Sequence, residues 1–123
     1  MDFSEFERIA EEEYDALPEG FKSRIHNVRV IVEELPRDDQ LRKVSAASRY
    51  SLLGLYEGVP LNHRNTGYGT YPIVPDTITL FKHNIESVVA GDVRVRVKIR
   101  EVLIHEIGHY FGMTEDEVRK AGY

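Results

Sequence analysis

Residues 105–112 read His-Glu-Ile-Gly-His-Tyr-Phe-Gly, and Glu115 follows shortly after. His105 and His109 are four positions apart, which on an α-helix stacks both imidazoles on one face, where they can grip one metal ion. Glu106 then stands beside that ion. A zinc ion lowers the pKa of a water ligand towards ~7, and a neighbouring carboxylate can take the released proton as general base. Zinc needs a third protein ligand and keeps a further position open for water or substrate. Gly112 can end the helix in the left-handed conformation and turn the chain back, which brings Glu115 within reach as that third ligand, with Asp116 as the alternative.

Each feature also has a plainer explanation. Two histidines at this spacing fit an ordinary amphipathic helix, and Thr114-Glu-Asp-Glu117 has the form of a capping box, with Glu115 and Asp116 favoured by the dipole of a short last helix. A first-turn carboxylate can serve both purposes, so the two explanations of Glu115 coexist.

The stretch His105-Glu106-x-x-His109-x-x-Gly112-x-x-Glu115 resembles the zincin active-site signature in its aspzincin or metzincin form, where the third ligand is Asp or His, and the chain more closely resembles the small bacterial zincin-like metallopeptidases. Leu53-Gly-Leu-Tyr-Glu-Gly-Val-Pro-Leu61, Pro75-Asp-Thr-Ile-Thr-Leu-Phe81 and the late position of the motif extend the likeness over most of the chain. The resemblance implies a minimal α+β metallopeptidase domain: a small mixed sheet of about three strands packed with helices, and the metal site on a C-terminal helix. His105 and His109 would be zinc ligands and Glu106 the catalytic base. Two departures stand out. The third ligand would be Glu rather than Asp, one methylene longer, and Met113 lies inside the motif rather than in the separate methionine turn of metzincins.

Composition narrows the chemistry. A chain of 123 residues is read as one domain, 1–123, with a single core and a shallow substrate site. It has no cysteine, so metal binding falls to histidine and carboxylate. A net charge of -5 argues against a general nucleic-acid binder, and the run Arg94, Arg96, Lys98, Arg100 is read as a solvated helix flank. The acidic, amphipathic start is unlike a signal peptide and no stretch suits a membrane span, so the expected location is cytoplasmic, with no membrane partner.

The elements that must hold the site can be traced along the chain. Phe3, Phe6, Ala10, Tyr14 and Leu17 recur at helical intervals among glutamates, and Pro18 and Gly20 end that helix. Pro18 can open a short helix through Ile25. Val28 to Glu34 is a β-branched strand stopped by Pro36, and Asp38 or Asp39 is placed to cap a helix with Leu41, Val44 and Ala47. Ser51 to Glu57 reads as a second strand. The segment from Gly58 to about Pro75 is too long for a plain connection and is a candidate lid over the metal. Asp76 to Phe81 alternates as a third strand, expected at a sheet edge, where the resemblance makes it the rail that pairs with an extended substrate peptide. Asn84 to Ala90 is a helix closed by Gly91, with Asp92 placed to cap the motif helix. Val93-Arg-Val-Arg-Val-Lys-Ile-Arg100 alternates as a strand would, but Val95, Ile99, Val102 and Leu103 share a helical face, and the histidine pair needs a helix, so the helix is preferred.

These readings converge on peptide-bond hydrolysis of a peptide or protein substrate, Glu106 moving the proton from water to the leaving amine. Tyr68, Tyr71, Arg64, His63 and His83 are candidate donors to the developing oxyanion. His26 is read as structural. The rival readings are a zinc domain that binds a partner without cutting it, and a hydrolase of another amide. No signal for oligomeric state is present.

Overall fold

The structure, a computed structural model, describes residues 1–44, 48–58 and 75–120, without the side chains of Glu115, Val118 and Arg119. Asp2 starts the first helix: its carboxylate accepts the N–H of Glu5 at 2.8 Å, and α1 (Phe3–Asp15) turns Phe6, Ile9 and Ala10 inward. The helix stops before Leu17, which is nevertheless buried. Pro18 then caps α2 (Glu19–Lys22), shorter than its sequence suggests.

Strand β1 (Val28–Glu33) leads to α3 (Asp38–Val44). Here neither Asp38 nor Asp39 is the cap. Both lie in the first turn, and the buried Gln40 reaches back to accept the N–H of Arg37 at 2.9 Å, the returning half of a capping box. Ala47, expected to continue this helix, lies outside the described residues.

Strand β2 (Gly54–Glu57) begins later than Ser51. The preceding backbone is occupied in a turn: Ser51 N–H bonds the Ser48 carbonyl, and the buried Asn84 amide donates to the carbonyls of Arg49 and Leu52, each at 2.7 Å. Those groups are unavailable to a ladder.

Strand β3 (Asp76–Phe81) completes a mixed sheet of order β1-β3-β2, parallel to β1 and antiparallel to β2. It is the central strand, not the expected edge. Alternation of threonine with apolar residues suggests exposure, yet Thr79 is 1% exposed and only Thr77 is partly open. A threonine can face a packed layer, so alternation reports side-chain chemistry and not position within the sheet. The edge strands among the described residues are β1 and β2.

Helix α4 (Lys82–Val88) follows β3 directly, earlier than expected, and α5 (Asp92–Tyr110) runs from Gly91 through the histidine pair. Asp92 lies in the first turn and makes no side-chain cap, which corrects its expected role. The helical reading of the alternating run holds from the first turn: Val95, Ile99 and Val102 are buried, whereas Val93 and Val97 are 79% and 52% exposed. Arg96 fastens this stretch to α1 through Glu12 and Glu13 at 2.9 and 2.8 Å. Phe6, Ile78, Leu80, Ile99 and Leu103 are fully buried between sheet and helices, each side chain contributing roughly 1.5–3 kcal/mol of burial. No helix among the described residues is long and apolar enough to cross a membrane.

Candidate metal centre

The last turns of α5 carry His105, Glu106 and His109, and one ligand atom from each lies within 4.8 Å of the others. The imidazole centroids are 5.3 Å apart with the rings inclined at 73°. Both histidines are partly open, and Glu106 is 7% exposed. This is a cluster of two nitrogen donors and a carboxylate that could hold a divalent ion, and its donor types suit zinc.

The chain after the helix prepares one of those nitrogens. Gly112 has φ +85°, a left-handed conformation open to glycine, and its N–H returns to the His109 carbonyl at 2.9 Å while that of Met113 returns to Gly108 at 3.0 Å. This paired closure aims the Met113 carbonyl at His109, whose Nδ1 lies 3.0 Å away. A carbonyl oxygen only accepts, so Nδ1 carries the proton and Nε2 presents its lone pair. Thr114 and Glu117 then form the expected capping box, N–H to side chain in both directions at 3.2 Å, and open α6 (Glu115–Lys120). The turn places Glu115 at the start of α6, but its side chain lies outside the described residues. Asp116, the alternative, is exposed and pairs with Lys120 at 3.1 Å.

Glu106 is held from the sheet. Leu53 carbonyl pairs with Phe81 N–H, and since pairing alternates along an antiparallel ladder, Gly54 and Tyr56 direct their backbone groups away from β3. The outward N–H of Tyr56 donates to Glu106 Oε1 at 2.9 Å. Sequence reading passes over Tyr56 because the contribution is a backbone group. Gly54 carries a signal, since a glycine inside a strand marks a close approach: a Cβ there would meet Val102 Cγ1 at 2.5 Å and Glu106 Cγ at 3.4 Å.

Beside the cluster lies a cleft of about 590 Å³, lined by Gly54, Leu55 and Tyr56 of β2, by Glu106, His109 and Met113, and by Val44. Helix α3 is fixed there by Lys43 and Gln40, both donating to Glu57 of β2. Burial pushes the Glu57 carboxyl up, but these two donors and the nearby charges of Lys43 and Arg37 together hold it below the usual carboxylate range. Of the oxyanion candidates, His63, Arg64, Tyr68 and Tyr71 lie outside the described residues, as does most of the expected lid. His83 packs its ring against Tyr50 at 5.7 Å and lines no described part of the cleft. His26 contributes its backbone, the N–H bonding the Tyr110 hydroxyl at 3.0 Å.

Residues 25–123 match the family model described as zincin-like metallopeptidase. Among solved structures, a conserved hypothetical protein from T. thermophilus shares the fold, with 19% identity, a TM-score of 0.59, and coverage of 90% of this chain and 94% of that one. No curated protein matches. The three-stranded mixed sheet, the metal-capable cluster on α5 and the match over most of the sequence place this chain in the zincin-like metallopeptidase family.

Proposed function

We propose that the protein is a zinc-dependent peptidase, with His105, His109 and Glu115 as metal ligands and Glu106 as general base. The observation that carries this reading is the placement of Glu106: buried, among the two imidazoles, with one oxygen tied to the Tyr56 N–H. A zinc ion held there would acidify a water ligand and polarise the scissile carbonyl. Glu106 takes the proton from the attacking water and delivers it to the leaving amine. The Nδ1–H of His109, given to the Met113 carbonyl, leaves Nε2 as the ligating atom. Asp116, engaged with Lys120 on an exposed surface, is the weaker candidate for third ligand.

Substrate alignment falls to β2 in place of β3. As an edge strand bordering the cleft, β2 gives an extended peptide a wall to lie along, with its outward Tyr56 N–H staying on Glu106. Val44, Leu55 and Met113 give that peptide's side chains an apolar wall. No membrane or nucleic-acid partner is included, and a cytoplasmic location suits an acidic chain without cysteine.

Cleavage of a proteome-derived peptide library tests the assignment. Glu106→Gln is expected to retain zinc and lose turnover. Equal cleavage by wild type and variant removes Glu106 as base, and absence of cleavage by zinc-loaded wild type favours a domain that binds peptides without cutting them.

A further inference from the structure

The mechanism leaves the buried carboxylate of Asp76 without a role. Asp76 opens β3 at 4% exposure, and a buried carboxylate is costly unless well partnered. Its Oδ2 accepts the Tyr56 hydroxyl at 2.7 Å. Tyr56 stands opposite Ile78, so Asp76 is its diagonal neighbour on the same sheet face, within reach of an aromatic side chain. The chain also makes room for this carboxylate: a Cβ at Gly58 would lie 2.4 Å from Asp76 Oδ1. The Tyr56 ring meets Tyr110 edge-on, centroids 6.2 Å apart at 87°. Its ring and its hydroxyl are therefore both held.

We propose that Asp76 is a positioning residue for Glu106, acting through Tyr56. With the ring anchored by Asp76 and Tyr110, the peptide plane of residue 56 is set, and its outward N–H fixes the Glu106 carboxylate at 2.9 Å. The ladder to β3 contributes less at this position, because its hydrogen bonds fall on the residues either side of 56. Glu106 is thereby oriented from the sheet as well as by α5. The catalytic consequence rests on the reading of Glu106 as base; the geometric one does not.

Amide hydrogen exchange, followed by NMR on the intact zinc-free protein, separates these. The amides of residues 55 and 57 bond β3, whereas that of residue 56 is protected by Glu106, so 55 and 57 are internal controls. Asp76→Ala and Tyr56→Phe are expected to lower protection at residue 56 by about tenfold or more, as Glu106→Ala does, with 55 and 57 unchanged. Asp76→Asn, which can still accept the hydroxyl, is expected to restore it. In zinc-loaded protein with a cleaved peptide, Asp76→Ala is expected to lower kcat by roughly tenfold with KM and zinc affinity unchanged. Parallel loss at 55, 56 and 57 means that Asp76 only stabilises the sheet, and unchanged protection at 56 in folded Tyr56→Phe overturns the proposal. Failure of wild type to cut any peptide sinks the peptidase reading and leaves the exchange result to decide the positioning.

Discussion

Val102 packs so closely on Gly54 that a Cβ at residue 54 would stand 2.5 Å from its Cγ1 and 3.2 Å from the Thr79 carbonyl oxygen. That approach lets the edge strand lie against α5, so that the N–H of Tyr56 reaches Glu106.

Gly54→Ala is accordingly expected to cost about 1–3 kcal/mol in unfolding free energy, the range for overpacking. Denaturant titration reads the cost. The double variant with Val102→Ala should recover part of it, because the nearer obstacle is a side chain while the Thr79 oxygen stays in place. A neutral Gly54→Ala would mean that strand and helix can part without penalty.

Gly112→Ala forces a Cβ into φ +85°. A loss of about 1 kcal/mol in stability follows from the backbone alone. Since the same turn aims the Met113 carbonyl at His109, zinc affinity should fall by roughly tenfold, as it does when an outer partner of a ligand is displaced. Gly112→Asn, which tolerates the left-handed region better, should lie between the two. Competition with a chelator measures all three.

The third ligand is decided by a pair of variants. Zinc affinity of Glu115→Ala is expected to fall by about tenfold or more, and that of Asp116→Ala to stay near wild type, since Asp116 is spent on an exposed pair with Lys120. The reverse pattern would transfer the role to Asp116.

Acid should loosen α3 from β2. Glu57 has a folded pKa below its ordinary value of 4.5: burial raises it, but the hydrogen bonds from Lys43 and Gln40 together with the charges of Lys43 and Arg37 outweigh that effect. A depressed carboxylate contributes stability above its unfolded pKa and loses it as pH falls through the folded one. The stability gap between wild type and Glu57→Gln is therefore expected to be full at neutral pH and to close below about pH 4.5, as urea midpoints across that range would show. A gap independent of pH would mean that the charge on Glu57 contributes nothing.

Local signals in the sequence are the most legible. The glycine turn at Gly112 and the Thr114–Glu117 box involve neighbours only, and both form as their residues dictate. The competing periods in residues 93–100 are resolved by asking which face the downstream histidines need. Sheet order is not legible: no side-chain pattern in Asp76–Phe81 distinguishes a central strand from an edge, because pairing uses backbone groups that every residue carries. Caps mislead for a related reason. Asp38 and Asp92 have the right chemistry, but each is already the first helical residue, so the cap position falls one earlier, at Arg37 and Gly91, and the first of these ends is closed by Gln40 instead. The same blindness to main-chain donors hides Tyr56.

The separation between residues 56 and 106 has a consequence for how such a centre would fail. With His105, His109 and Glu115 as the proposed ligands, capture of an ion would draw on the end of one helix and the start of the next, a contiguous stretch that can stay intact on its own terms. The proposed proton carrier, Glu106, by contrast, depends on a contact 50 positions away in the chain. Heat or mild denaturant that frays the outermost ribbon would then leave a molecule still charged with its ion yet inert, so activity should vanish at a lower temperature than metal is released.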